Sequence, residues 1–252
     1  MSRLFVILPC YNEEANITPL ILAWLDQREA LSRLGYELVV TPVDDGSKDG
    51  TKAVIEELQR THPDIALLAH QTNQGLGAGL KTGLLHFHQT GTTGDCAVVM
   101  DADNTHDPKY AASMLTMLSR DHRDCVIASR YCQDSAVVGV PAFRNFLSLG
   151  ARAYYRLVLG VKGVKDYTCG YRVYTHDIID RAVKKYGDRM VEEQGFSCMM
   201  ELLYKLSRVG AVFGEVPFEL RYDFKQGSSK MKILSTIKDS LVTAPRLRLT
   251  IR

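Results

Sequence analysis

Two aspartates one residue apart, Asp101 and Asp103, follow directly on the apolar run 96–100. Paired carboxylates at a strand end make a hard oxygen site of the kind that suits Mg2+ or Mn2+. Such an ion neutralises a diphosphate and helps it leave. Turn or cap aspartates would look the same, so the motif needs support from the rest of the chain. A second acidic cluster, Asp44-Asp45-Gly46-Ser47-Lys48-Asp49-Gly50-Thr51, also stands behind an apolar run. Its glycines permit tight turning and its carboxylates could accept hydrogen bonds from a base or a ribose. The same residues suit a polar turn that caps the next helix. Tyr11-Asn12-Glu13 closes a third run. Asn73-Gln74-Gly75-Leu76-Gly77-Ala78-Gly79 is rich in glycine but is neither G-x-G-x-x-G nor a P-loop. It reads equally as a flexible wall beside a ligand and as a phosphate contact.

For these groups to meet, several strand ends must reach one edge. Residues 4–8, Leu-Phe-Val-Ile-Leu, form a continuous apolar run ended by Pro9, as expected of a strand buried on both faces. Residues 13–34 place Ile17, Leu20, Ile21, Trp24, Leu25 and Leu31 at helical spacing. Strands are expected at 36–43, 65–69 and 96–100, and helices at 52–60 and 79–88. This alternation predicts an α/β fold with a mostly parallel sheet and helices on both faces. Ligands bind such sheets at the carboxyl ends of the strands, which is where the three polar clusters fall. The second half is less regular, with helices expected at 142–159 and 198–206.

A chain of 252 residues, 46% hydrophobic and 24% charged, suits one large domain. A net charge of +2 excludes a general nucleic-acid binder. Basic residues are instead concentrated locally. Between Ser135 and Lys165 there is no acid, while Arg144, Arg152, Arg156, Lys162 and Lys165 are basic. From Phe224 onward seven Lys or Arg stand against one acid, Asp239. Residues 142–165 and 230–242 read as basic amphipathic stretches suited to an anionic membrane surface, or as core helices with a solvated face. No stretch approaches the roughly 18 apolar residues of a spanning helix. The six cysteines form no C-x-x-C pair, and no signal peptide is evident. Reduced thiols and a peripheral position on the cytosolic face of a membrane are therefore expected.

The order and spacing of Pro9-Cys10-Tyr11-Asn12-Glu13-Glu14, residues 43–51, residues 73–79 and Asp101-Ala102-Asp103 resemble the family-two glycosyltransferases, whose GT-A fold is Rossmann-like. A later set is similar to the dolichyl-phosphate mannose synthases and their polyprenyl-phosphate relatives. It comprises Ser129-Arg130-Tyr131, Arg144, Asp166-Tyr167-Thr168-Cys169-Gly170-Tyr171-Arg172, Gly195-Phe196-Ser197, Val216-Pro217 and Gly227-Ser228-Ser229-Lys230.

The resemblance implies that Pro9, Tyr11, Glu13, Val43, Asp45, Asp101 and Ala102 surround the nucleotide. It makes Asp103 the direct ligand of a Mg2+ or Mn2+ ion, with Asp101 beside it. It sets Arg130 and Arg144 near the donor diphosphate and the acceptor phosphate. Arg221 and Lys230 become a basic pair on a loop that closes over the site. It implies a nucleotide-sugar donor, GDP-mannose ahead of a UDP-hexose, and polyprenyl phosphate as acceptor. It also implies a catalytic part over 1–223 and a basic closing loop with an amphipathic tail over 224–252. One departure stands out: Thr105 replaces a glutamine that helps hold metal in the synthases. That leaves a third ligand to Thr105 through water, to Asp107 or to His106, and His106 reads as structural.

A lipid phosphate is already an anionic nucleophile, whereas a sugar hydroxyl needs a carboxylate base. Glu201 is the nearest candidate base, and it reads better as a helix carboxylate paired with a basic neighbour. The alternatives are a family-two glycosyltransferase with a sugar-hydroxyl acceptor and a non-catalytic nucleotide-sugar-binding protein. Processive synthases carry Q-x-x-R-W, and the only tryptophan here is Trp24.

Overall fold

The computed structural model describes residues 1–140, 142–224 and 233–251; the side chains of 142, 144–146, 224 and 233–237 lie outside the description. The chain opens with β1 (Ser2–Cys10), in which every residue from Leu4 to Cys10 is buried. Successive side chains of a strand point to opposite faces, so both faces of the sheet are covered here. The alternation continues through α1 (Glu14–Asp26), α2 (Arg28–Arg33), β2 (Tyr36–Asp44), α3 (Thr51–Thr61), β3 (Leu68–Ala69), α4 (Leu76–Thr90) and β4 (Cys96–Val99). The second half supplies α5 (Tyr110–Arg120), β5 (Cys125–Ser129), β6 (Ala136–Val138), α6 (Ala142–Val158), β7 (Arg172–Thr175) and α7 (His176–Tyr186). It ends with α8 (Cys198–Ser207), β8 (Phe213–Pro217), β9 (Glu219–Arg221) and α9 (Ile233–Thr250).

Seven strands form one sheet in the order β3-β2-β1-β4-β7-β5-β8, and β6 pairs with β9 in a second, small sheet. All neighbours in the large sheet are parallel except β7, which runs antiparallel to both β4 and β5. The expected mostly parallel α/β sheet is therefore present, and the reversed strand has a consequence for the site. β7 begins where β4 ends, with Val99 paired to Arg172. The residues that lead into β7 therefore lie at the same edge as Asp101 and Asp103.

Three expectations differ in detail. The helix expected over 13–34 breaks at Gln27, whose amide donates to Trp24 O while its carbonyl accepts from Leu31 N and restarts the helix as α2. The break turns Leu31 into the core. The strand expected over 65–69 shrinks to Leu68–Ala69, with Ile65 bridged singly to Val40. The tail helix runs farther than expected, to Thr250, and buries Ala244 and Leu247 where α9 packs against α8 and α6. All six cysteines are free thiols, and burial pushes those of Cys125 and Cys169 up to about 12. Among the described residues, no helix is long and apolar enough to cross a membrane.

Candidate active site

The carboxyl ends of β1, β2 and β4 lie side by side, with Pro9 paired to Val43, Cys10 to Asp44 and Ile7 to Val99. Hydrogen bonds stitch the loops that follow. Asn12 N donates to Ser47 Oγ at 2.9 Å, and Lys48 N donates to Asn12 Oδ1 at 2.8 Å. Glu13 N donates to Thr51 Oγ1 at 2.8 Å, and the Glu13 carboxylate accepts from Asn16 Nδ2 at 2.7 Å. Asn104 Nδ2 donates to Asn16 O at 3.1 Å and so ties in the loop after β4. Thus Pro9, Tyr11, Glu13, Val43, Asp45, Asp101, Ala102, Asp103 and Thr105 share one edge.

Asp45 has a structural task the sequence did not reveal. It is buried, and its Oδ1 takes hydrogen bonds from His70 Nδ1 at 2.7 Å and Gln74 N at 2.9 Å. Its Oδ2 accepts from Gly75 N at 2.8 Å. The carboxylate therefore holds the glycine-rich loop against the end of β2. That loop is packed rather than loose. Gly77 N donates to Gln194 O at 3.0 Å, and a Cβ on Gly77 would fall 1.8 Å from Glu193 O, so only glycine fits. A cleft lined by Gln74, Gly75, Lys81, Asp188, Glu192 and Glu193 opens beside it.

Asp103 Oδ1 accepts from Thr105 Oγ1 at 2.6 Å and from Thr105 N at 3.2 Å. Thr105 is buried, and its hydroxyl also meets His106 Nδ1 at 3.1 Å. The Thr105 hydroxyl thus donates its proton to Asp103 and steadies that carboxylate beside the expected metal position. His106 is structural, stacked on Phe218 at 5.4 Å and edge-on to Tyr171 at 5.7 Å. Asp107 pairs with Lys109 at 2.8 Å. Among the described residues no group of three or more His, Cys, Asp or Glu side chains is placed to hold a metal ion. The donor set still fits Mg2+ or Mn2+, which commonly takes one or two carboxylates and completes its shell with substrate phosphates and water.

Arg130 follows β5 and is anchored to Asp166, which is wholly buried. Nε and Nη2 donate to the two Asp166 oxygens at 2.8 and 2.7 Å, and Nη2 also reaches Thr168 Oγ1 at 2.5 Å. Burial works to raise the Asp166 pKa, but the Arg130 charge and hydrogen bonds overcome it and hold the carboxyl below its usual value. The guanidinium keeps Nη1 without a described acceptor. Arg221 sits on β9; its amide donates to Thr105 O at 3.0 Å and its guanidinium clasps Asp223 at 2.9 and 2.7 Å. Arg144 lies on α6 with its side chain outside the description, and Lys230 falls outside the described residues.

Glu201 is wholly buried. Its Oε1 pairs with the buried Lys205 at 2.7 Å, and its Oε2 accepts from Glu192 N and Glu193 N at 2.9 and 2.8 Å. This is a structural carboxylate in the i,i+4 pairing expected from the helix. Glu201→Gln leaves the Lys205 ammonium, among the described residues, with the half-exposed Glu192 as its one carboxylate partner. A loss of about 3 kcal/mol is expected, seen as a melting shift of roughly 6–12 °C, with turnover within about threefold at temperatures where the protein is folded. A large fall in turnover with an unchanged melting temperature would make Glu201 a base after all.

The model of the family described as "Glycosyl transferase family 2" matches residues 5–182. The polyprenol monophosphomannose synthase of Mycolicibacterium smegmatis is 33% identical over 231 residues, covering 91% of this chain and 81% of the relative. The dolichyl-phosphate beta-glucosyltransferase ALG5A of Trichomonas vaginalis is 28% identical, covering 93% and 70%. Among solved structures, glucosyl-3-phosphoglycerate synthase of Mycobacterium tuberculosis, in complex with Mn2+, UDP and glucosyl-3-phosphoglycerate, superposes with a TM-score of 0.64 at 18% identity, covering 100% of this chain and 81% of the other.

Proposed function

Because this chain belongs to glycosyl transferase family 2, we propose that it is an inverting transferase moving a hexose from a nucleotide sugar to the phosphate of a polyprenyl lipid. Mannose carried on GDP is the favoured donor, ahead of a UDP-hexose. The observation that carries the phosphate acceptor is Glu201: the candidate base lies buried in a structural pair. A phosphate oxygen needs no deprotonation, so nothing is lost by that arrangement. The similarity to a polyprenol monophosphomannose synthase over most of both chains supports the same reading.

In this reading a lone pair of the lipid phosphate forms the new bond to the anomeric carbon, and the bond to the nucleotide diphosphate breaks with its electrons on the leaving oxygen. Asp101 and Asp103 would hold the Mg2+ or Mn2+ ion, which neutralises charge on that diphosphate. Asp45 fixes the glycine-rich loop that walls the donor. Arg130, steadied by Asp166, has Nη1 left to meet a phosphate oxygen. Arg144, Arg221 and Lys230 complete the cationic surroundings that two phosphates require; Arg221 must first leave Asp223. The closing loop and tail are assigned to residues 224–252, of which 225–232 and 252 lie outside the described residues. The protein would lie on a membrane surface: α6 exposes Phe143, Leu149 and Leu157, and α9 exposes Leu241, Val242 and Leu249. On α6, Arg152 and Arg156 line a shallow groove with Leu149 and Leu157, a pairing that suits anionic headgroups.

The donor is tested by incubating the protein with polyprenyl phosphate, Mn2+ and a panel of nucleotide sugars and weighing the lipid product. A glycolipid heavier by one hexose is expected, formed fastest from GDP-mannose. A faster reaction with a UDP-hexose would reassign the donor while leaving the acceptor in place.

A further inference from the structure

We infer that Gly170 is a positioning residue for the Asp101 carboxylate, an inference that rests on Asp101 serving the metal and diphosphate as set out above. A Cβ built on Gly170 would lie 2.8 Å from Asp101 Oδ1, 3.1 Å from Cγ and 3.1 Å from Oδ2. These are the nearest atoms it would meet, and all three belong to one carboxylate. Real Cβ atoms essentially never come within 3.0 Å of a neighbour, so the carboxylate would have to turn away. Gly170 is absent from the glycines with positive φ, so its backbone does not itself call for glycine. Contact with Asp101 is what excludes a side chain.

The segment that presents Gly170 is fixed from three sides. Asp166, at its start, accepts from Thr168 N at 3.2 Å and Cys169 N at 3.1 Å as well as from Arg130. Glu215 on β8 accepts from Lys165 N and Asp166 N at 2.6 and 2.8 Å. Arg172, wholly buried at the head of β7, donates to Tyr167 O, Cys169 O and Met199 O at 2.8, 2.8 and 2.7 Å. A wall held by so many buried bonds does not yield to an added methyl group, whereas a carboxylate with two rotatable bonds does. The substitution Gly170→Ala therefore acts on Asp101 and not on the wall. Groups that orient metal-binding side chains commonly contribute 10- to 100-fold in metal affinity.

The test is a double-mutant cycle read by calorimetry and thermal melts, with GDP and UDP as probes in Mn2+ or in EDTA. Gly170→Ala is expected to lose about 10- to 100-fold of the affinity that Mn2+ adds to nucleotide binding, while affinity in EDTA stays within about twofold. In the Asp101→Ala background, Gly170→Ala is expected to cost nothing further, because the atoms it displaces are gone. The melts read the contact without metal: any destabilisation by Gly170→Ala is expected to be relieved by Asp101→Ala. Wild-type metal dependence in Gly170→Ala, or full additivity with Asp101→Ala, overturns the inference alone. Wild-type metal dependence in Asp101→Ala overturns the role of Asp101, and the inference with it.

Discussion

Asp103→Ala is expected to lower transfer by about 10³-fold or more while the protein melts within a few degrees of the parent. The carboxylate stands in a partly exposed loop after β4, where Thr105 is the partner that orients it. Its removal leaves no core cavity. What it does remove is a carboxylate from the Asp101/Asp103 pair at the end of β4, beside the ends of β1 and β2. Charge neutralisation at a leaving diphosphate is worth several kcal/mol, and each 1.36 kcal/mol is a factor of ten in rate. The check is transfer measured beside a thermal melt. A folded Asp103→Ala protein with more than about a tenth of the parent rate would remove Asp103 from the metal site.

The largest effect on stability is expected from Asp166→Ala. This carboxylate is wholly buried and accepts from Arg130 N, Nε and Nη2, Thr168 N and Cys169 N. Its loss leaves the guanidinium without a counter-charge and three backbone amides, that of the buried Cys169 among them, without this acceptor. Breaking a buried pair from one side costs about 3–5 kcal/mol, or roughly 6–20 °C in melting temperature for a chain of this size. Replacing both partners by apolar residues is often nearly neutral, so Arg130→Met with Asp166→Leu is expected to regain much of the stability. It is not expected to regain transfer, because Nη1 is gone. Recovery of both would reduce Arg130 to a strut. The pair also sets an acid limit. The Asp166 carboxyl is held below its ordinary value near 4, so its stabilisation is complete above that pH and is lost as pH falls through the lowered value. Asp166→Ala is expected to lose that part of the acid transition.

The first half of this fold is legible in sequence because its strands are continuous apolar runs ended by polar clusters. Residues 4–8 read as a strand covered on both sides, and Asp44, Asp45, Asp101 and Asp103 stand at or within four residues of the ends of β2 and β4. Glu201 was legible for a local reason, since Lys205 lies four residues on along the same helix. The pairing of Arg130 with Asp166 was not, because the partners are 36 residues apart and the reversed direction of β7 brings them to one edge. The same reversal brings Gly170 to Asp101. Asp45 shows a third kind of limit: its residue type suggested a ligand contact, but its bonds to His70, Gln74 and Gly75 depend on where β3 delivers the chain. The break at Gln27 carries no Gly or Pro at the joint and left no mark in the helical spacing.

The central claim is that a phosphate oxygen, not a hydroxyl, receives the sugar. It is tested most directly by offering one polyprenyl chain in two forms, the phosphate and the free alcohol, together with a soluble sugar acceptor, under the same donor and Mn2+. The account predicts glycosylation of the phosphate form, with the alcohol and the soluble sugar slower by at least about 10³-fold, since Glu201, the candidate base for their protons, is held in a buried pair. Ready transfer to the alcohol or the soluble sugar, with the lipid phosphate left untouched by every donor, would contradict it.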